Sequence, residues 1–130
     1  MFVENKACVT PLGMESETIS DQQISASSQW DDDYAAHEAR LHSTVSQNTR
    51  GGWIALKADL NQWLQVDLRA FTRVTRIATQ GRNGYSQWVT KYRLQYSNHG
   101  EIFQFYKKAG NVSAWVGYFV MYKIIRIHHK

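Results

Sequence analysis

The stretch WVTKYRLQYS, residues 88–97, alternates aromatic or apolar side chains with polar ones. Trp88, Tyr92 and Leu94 fall on one side of an extended chain, whereas Lys91 and Arg93 fall on the other. Successive side chains of a β-strand point to opposite faces of its sheet. The alternation therefore predicts a half-buried antiparallel strand whose aromatic face, beginning at Trp88, turns towards the core.

Other segments show the same strand character. QWLQVDL (62–68) alternates in the same way, EIFQFY (101–106) is a short strand candidate, and YFVMYKIIRIHH (118–129) is apolar on both faces, as in a central strand. The irregular spacing of apolar residues in TRVTRIATQG (72–81) indicates either a β-bulge or burial on both faces. Helical character is confined to residues 34–43, and Gly and Asn clusters separate the strands. The sequence predicts an all-β sandwich or barrel.

Length and composition limit the classes of protein to consider. The 130 residues suit one domain, and 43% hydrophobic with 20% charged residues is typical of a globular chain. The formal net charge of +4 is spread along the chain rather than gathered in a basic stripe, so we expect no nucleic-acid partner. No apolar run has the length of a membrane span, and the first residues lack the apolar segment of a signal peptide.

A second unusual stretch, QWDDDY, brackets three consecutive aspartates with aromatic residues. Burial of Asp31, Asp32 and Asp33 would remove hydration from three adjacent carboxylates, so a core strand is excluded here. Trp30 and Tyr34 beside these acids are typical of a ligand-facing loop. The three carboxylates are also hard oxygen ligands suited to calcium, and we expect no other cofactor.

Catalytic patterns are missing from the sequence. The five histidines do not show the spacing of a zinc site, and no nucleophile–base pair or phosphate-binding loop is evident. We therefore expect no enzymatic activity. Cys8 is the single cysteine and has no partner within the chain, and Asn111 begins an Asn-Val-Ser glycosylation sequon that matters only in a secreted protein.

Seven motifs along the chain carry a resemblance to a known family. In order they are PLGMESETISDQQISASS (11–28), ARLHS (39–43), GGW (51–53), NQWLQVDL (61–68), VTRIATQGR (74–82), QWVTKYRLQYSNHG (87–100) and IIRIH (124–128). Together they resemble the coagulation factor V/VIII C-type domain, also called the discoidin domain. The resemblance implies a distorted jelly-roll β-barrel or sandwich with three protruding loops, or spikes, at one end. It covers residues 8–130, which leaves 1–7 as an N-terminal extension.

In this family the spikes carry ligand binding, and the barrel below them is a scaffold. Motif positions imply a first spike at 29–35, a second near 55–61 and a third at 82–86. The candidate ligand-binding residues implied by the resemblance are Trp30, Asp31, Asp32, Asp33 and Tyr34 on the first spike, Leu56, Lys57 and Leu60 on the second, and Arg82, Asn83 and Tyr85 on the third.

The resemblance also implies roles in the scaffold. Trp53, Trp63 and Trp88 are expected in the core or at its edge. Arg40 is expected to form a buried ion pair with Asp67.

The C-terminal end departs from the family pattern. Family members usually close with a strand that ends in Gly-Cys, and its cysteine pairs with one placed like Cys8. This sequence ends in IRIHHK, so we expect the final strand and the disulfide partner to be missing from a truncated or atypical domain.

For function, the resemblance implies a non-enzymatic, extracellular recognition or cell-adhesion module that binds a matrix protein or a cell-surface glycan through its spikes. Two alternatives stay open. One is peripheral binding to anionic phospholipid, which the apolar and basic second spike suits and the three aspartates oppose. The other is an accessory carbohydrate-binding domain of a larger protein.

Overall fold

The computed structural model describes residues 10–74, 76–106 and 121–129. These residues form five strands: β1 (Ile24–Ala26), β2 (Trp63–Arg73), β3 (Tyr92–Ser97), β4 (Gln104–Phe105) and β5 (Met121–His129). The strands lie in one antiparallel sheet in the order β1-β2-β5-β3-β4. The all-β prediction is confirmed, and β5 occupies the centre of the sheet as its apolar sequence indicated.

Three short 3₁₀ helices complete the regular structure of the described residues. They span Asp21–Gln23, Asp32–Tyr34 and Ala36–Ala39. The helix expected within residues 34–43 is therefore reduced to a single 3₁₀ turn. The first helix is tied to the sheet because the Gln23 side chain donates through Nε2 to the Asp67 carbonyl at 2.7 Å.

Strand register brings three connections to the same end of the sheet. β1 ends where Ala26 pairs with Leu64, and β2 begins where Trp63 pairs with His128. β3 begins where Tyr92 pairs with His129. The segments that follow β1 and precede β2 and β3 therefore emerge together, at what we call the loop end, as the spike prediction required.

The core lies on one face of β1 and β2. Ile19, Ile24 and Ala36 are buried, and their partly buried neighbours are Met14, Ala26, Leu64, Val66 and Leu68. The alternation of β2 places its three even-numbered aliphatic side chains on this face, as the sequence predicted. Trp63, Gln65 and Asp67 consequently lie on the opposite face.

The expectation of a buried Trp88 is wrong. Trp53 and Trp63 are half-buried, but Trp88 is 65% exposed, because β3 begins only at Tyr92. Trp88 instead lies at the base of the third loop. An added Cβ at Gly81 would come within 3.1 Å of the Trp88 Cβ.

The expected ion pair between Arg40 and Asp67 is also wrong. Arg40 binds Asp21 at 2.5 Å and the Met14 carbonyl at 3.0 Å. The Asp67 carboxylate accepts instead from the Arg69 amide at 2.7 Å, where the β2–β5 register shifts between Asp67 and Thr72. The β-bulge thus begins several residues before the segment in which it was predicted, and its tight turn uses the Asp67 carboxylate locally.

Several expectations lie outside the described residues. These are the disulfide at Cys8, the glycosylation at Asn111 and the N-terminal extension 1–7. Within the part of the chain that the structure describes, no helix has the length and hydropathy of a membrane span.

Truncation of an isoleucine side chain should lower the free energy of unfolding more in the core than on the surface. We expect Ile24→Ala to lower the free energy of unfolding by about 2–4 kcal/mol, because Ile24 is 6% exposed and packs in the core. Ile102→Ala is the matched control, since Ile102 is 77% exposed, and it should change stability by less than about 0.5 kcal/mol. Urea unfolding measures both, and equal losses would contradict the described core.

The Arg40–Asp21 contact predicts a small acid-sensitive contribution to stability. The hydrogen bond from Arg40 lowers the pKa of Asp21. The ion pair therefore stabilises the fold fully above the unfolded pKa of about 3.9, and the stabilisation is lost as the pH falls through the lower folded pKa. Because Asp21 is 62% exposed, we expect Asp21→Asn to cost no more than about 1 kcal/mol near neutral pH. The difference from wild type should vanish in strong acid, and a difference that persists there would exclude the ion pair as its cause.

Candidate ligand-binding site

The first loop presents an exposed indole on a fixed backbone. The Trp30 amide donates to the Ile54 carbonyl at 2.8 Å, and the Ile54 amide donates to the Tyr34 carbonyl at 3.4 Å. The Trp30 side chain is nevertheless 61% exposed. The loop is thus held from below while its aromatic ring faces solvent.

Ser28 connects the first loop to the second. Its hydroxyl donates to Gln62 Oε1 at 2.6 Å and accepts from the Leu56 amide at 3.1 Å, while its carbonyl accepts from Trp53 Nε1 at 2.9 Å. Beyond this anchor Leu56 and Leu60 are 52% and 62% exposed. Lys57, between them in sequence, is exposed as well.

Arg82 joins three segments of the loop end through one guanidinium group. Its NH2 nitrogen donates to the Tyr34 hydroxyl at 3.3 Å, its Nε to the Arg50 carbonyl at 3.0 Å and its NH1 nitrogen to Gln87 Oε1 at 2.9 Å. The planar fork of arginine carries donors in directions that one amine cannot reproduce. The predicted third-spike residue Arg82 therefore lies in the site, where it holds the loops together.

The Arg82 guanidinium also stacks between two tyrosines. Its central carbon lies 3.6 Å from the centroid of the Tyr85 ring and 5.0 Å from that of the Tyr34 ring. Tyr85 remains 53% exposed. The first and third loops therefore share one aromatic–cation stack, with the outer ring open to solvent.

Asn83 fixes the third loop to the segment around Gly51. The Asn83 amide donates to the Gly51 carbonyl at 3.2 Å, and its Oδ1 accepts from the Val45 amide at 3.2 Å. Gly51 has φ +73°, and a Cβ there would lie 3.1 Å from both Asn83 and Val45 side chains. Glycine is required because both the conformation and the space exclude a side chain.

The three aspartates use their carboxylates in three ways. Asp31 Oδ1 accepts from the Asp33 amide at 2.9 Å and so caps the short helix that follows. Asp32 Oδ1 accepts from Gln29 Nε2 at 3.2 Å. Asp33 Oδ2 accepts from both Nε and NH2 of Arg50, at 3.0 and 2.7 Å, and this carboxylate raises the pKa of Arg50.

Among the described residues, no group of three or more His, Cys, Asp or Glu side chains is arranged to hold a metal ion. Consecutive aspartate side chains diverge, and Asp33 is turned to Arg50. Calcium binding therefore stays a prediction from the sequence.

The structure brings the predicted residues into one surface, which we call the rim. Its aromatic part is Trp30, Tyr34 and Tyr85, its acidic part is Asp31, Asp32 and Asp33, and its linking residues are Arg82 and Asn83. The second loop adjoins the rim through the Leu56 amide, which donates to the Ser28 hydroxyl, and Lys57 and Leu60 follow on the same loop. Sequence reasoning missed Arg50 and Gln87 as partners, because an ion pair between residues 17 positions apart leaves no periodic signal.

Comparison with known proteins identifies the fold family. A family model for the F5/8 type C domain matches residues 23–125. The chain belongs to the F5/8 type C domain family. Human neuropilin-2 is 40% identical over 116 residues, a region that is 84% of this chain and 12% of the relative. The chain thus spans only a small part of that relative's length.

Solved structures agree with this assignment. Discoidin II from Dictyostelium discoideum superposes with a TM-score of 0.67 at 21% identity, over 82% of this chain and 48% of that one. A Clostridium perfringens module in complex with GalNAc-β-1,3-galactose superposes with a TM-score of 0.61 at 16% identity, over 82% and 81% of the two chains. Identities this low establish the fold alone, and they confirm the jelly-roll prediction.

Loss of the arginine fork should weaken the rim more than loss of the exposed ion pair. We expect Arg82→Lys to lower the free energy of unfolding by about 1–2 kcal/mol, because the Tyr34, Arg50 and Gln87 acceptors cannot all keep a donor. Arg50→Lys removes only an exposed bidentate contact and should cost less than about 0.5 kcal/mol. Urea unfolding of the two variants measures the difference, and equal costs would show that Arg82 does not link the loops.

Proposed function

We propose that this F5/8 type C domain is a non-enzymatic extracellular recognition module of the adhesion type. It binds a matrix protein or a cell-surface glycan through the rim. Trp30 is the principal contact, Tyr34 and Tyr85 supply further aromatic surface, and the aspartates select among partners by charge.

The exposed indole of Trp30 carries this proposal. Its ring is 61% exposed, although the backbone on which it sits is hydrogen-bonded to Ile54. A side chain presented on a fixed backbone loses little conformational freedom on binding. Tryptophan is also among the residues that contribute most to protein interfaces, since it buries a large flat surface.

The acidic residues beside Trp30 favour a polar partner. Asp31 and Asp32 are exposed, and one hydrogen bond to each is found within the loop. An ionised carboxylate has about four lone-pair sites, so both retain capacity to accept from a hydroxyl, an amide or a cation. A negatively charged lipid surface would instead repel each carboxylate at a cost of order ~1 kcal/mol, by symmetry with its attraction for lysine.

Binding to anionic phospholipid is the second candidate function. Leu56 and Leu60 are 52% and 62% exposed at the same end as Trp30, and Lys57 lies between them in sequence. This combination of apolar tips and a basic residue suits a membrane surface. A third candidate, an accessory carbohydrate-binding domain of a larger protein, draws support from the fold shared with the sugar-bound Clostridium module.

Paired substitutions at the loop end test the choice between partners. We expect Trp30→Ala to weaken binding to immobilised fibrillar collagen, or to the glycans of an array that wild type binds, by at least about tenfold. Leu60→Ala is the matched control, because Leu60 is 62% exposed at the same end, and it should leave that binding unchanged. Circular dichroism establishes that both variants are folded.

Co-sedimentation with phosphatidylserine vesicles, against phosphatidylcholine vesicles, tests the alternative. Selective sedimentation that both Trp30→Ala and Leu60→Ala abolish would replace the proposal with membrane binding. Repetition of each assay with and without calcium tests the predicted cation, since a calcium requirement that Asp31→Asn removes would support it.

A further inference from the structure

A second polar cluster lies on the sheet face opposite the core, away from the rim. β2, β5 and β3 place Gln65, Arg126 and Gln95 side by side in one row, because Gln65 pairs with Arg126 and Arg126 pairs with Gln95. Arg93 occupies the next row towards the loop end, on the same face of β3. Arg93 and Arg126 thus occupy diagonal positions on adjacent strands, where backbone positions are typically roughly 7–8 Å apart.

Among the described residues, Arg126 is held in place by a carboxamide and two aromatic rings rather than by a carboxylate. Its Nε and NH2 donate to Gln65 Oε1 at 3.0 and 2.7 Å. Its guanidinium lies between two rings, 4.0 Å from the Trp63 centroid and 3.6 Å from the Phe103 centroid. Burial lowers the pKa of Arg126, which indicates that its lost hydration is not compensated by a nearby anion.

Two polar atoms beside Arg126 have no hydrogen-bond partner among the described residues. Arg93 Nε and Gln95 Oε1 are both buried without a hydrogen bond, although the residues that carry them are only half-buried. Such atoms are rare in native structures, because each has lost water without gaining a substitute. An unpaired charged donor is the more costly of the two.

No internal anion accounts for the cluster. Within residues 10–74, 76–106 and 121–129, the ion pairs that form involve neither Arg93 nor Arg126. The sequence between residues 107 and 120 contains no Asp or Glu. Among the described residues, the Asp67 carboxylate on this face of β2 accepts from the Arg69 amide and forms no ion pair with either arginine.

We propose that this face, at Arg93 and Arg126, binds the sulfate or carboxylate oxygens of an acidic glycan. Arg93 supplies the principal charge-assisted hydrogen bonds, and Arg126 supplies the fixed second charge. Amide groups and flat aromatic rings around a few charged donors are typical of a sugar-binding surface. Gln65, Gln95, Trp63 and Phe103 provide both here.

The site is independent of the rim. The two arginines stand on β3 and β5 and the rim residues stand on the loops, so the two surfaces share no residue. Loss of Trp30 should therefore leave binding of an acidic glycan unchanged.

Isothermal titration with two acidic probes tests the proposal. The probes are a heparin-derived tetrasaccharide, which carries sulfate, and trigalacturonate, which carries carboxylates alone, and neutral cellotriose is the uncharged comparison. We expect at least one acidic probe to bind and cellotriose not to bind. Binding of the sulfated probe alone assigns the site to sulfate esters, and binding of trigalacturonate alone assigns it to uronates.

Two substitutions that each remove one positive charge distinguish binding at a specific site from nonspecific electrostatic attraction. Arg93→Gln should weaken binding of the acidic probe by at least about tenfold. Arg69→Gln removes the same charge from an exposed arginine in the β2 bulge and should change binding by no more than about twofold. Equal losses in the two variants, or no binding of either probe to wild type, would overturn the proposal.

A measurement on the wild-type protein tests the site even if the Arg93→Gln variant does not fold. The Nε–H resonance of Arg93 should shift on addition of the acidic probe, because this buried donor gains an acceptor or rearranges. An Arg93 resonance that does not move while the probe binds would also contradict the site.

Discussion

The guanidinium of Arg82 donates to acceptors on three separate segments of the loop end. The Tyr34 hydroxyl, the Arg50 carbonyl and the Gln87 side chain all receive one hydrogen bond from it, and two tyrosine rings enclose its plane. Loops that emerge separately from a sheet are otherwise the least ordered part of a domain, since few buried contacts hold them. This one side chain therefore links the first and third loops of the rim to each other and to the segment at Arg50.

The register of the sheet places the first and third loops close enough together for Arg82 to link them. Because β1 ends where β2 and β3 begin, the segments that connect these strands bring the aromatic and acidic residues together at one end of the sheet. The exposed Trp30 ring gains nothing from the fold itself, but an ordered backbone lowers the entropic cost of using it for recognition. The opposite face of the sheet carries charge in a different form, because Arg93 and Arg126 form no ion pair within the described residues.

The period-two pattern predicted β2 and the apolar character of both faces predicted β5, because burial on a pleated sheet determines which residues form each strand. The pattern failed at Trp88, because the alternation in the sequence starts before the strand β3, which begins only at Tyr92. The predicted ion pair between Arg40 and Asp67 is wrong because the Asp67 carboxylate accepts from the Arg69 amide in the tight turn of a bulge. The spike positions followed from family motifs, whereas the Asp33–Arg50 pair is a tertiary contact that local sequence does not encode.

Hydrogen exchange at the amides of Trp30 and Ile54, compared between wild type and Arg82→Lys, tests the central claim most directly. Both amides donate across the first loop, to Ile54 and Tyr34 respectively, and Tyr34 is the residue that Arg82 holds. The account predicts protection in wild type and exchange at least about tenfold faster in the variant, while the amides of β2 remain protected. Unchanged exchange at Trp30 and Ile54 in a folded Arg82→Lys protein would show that the first loop is ordered without Arg82.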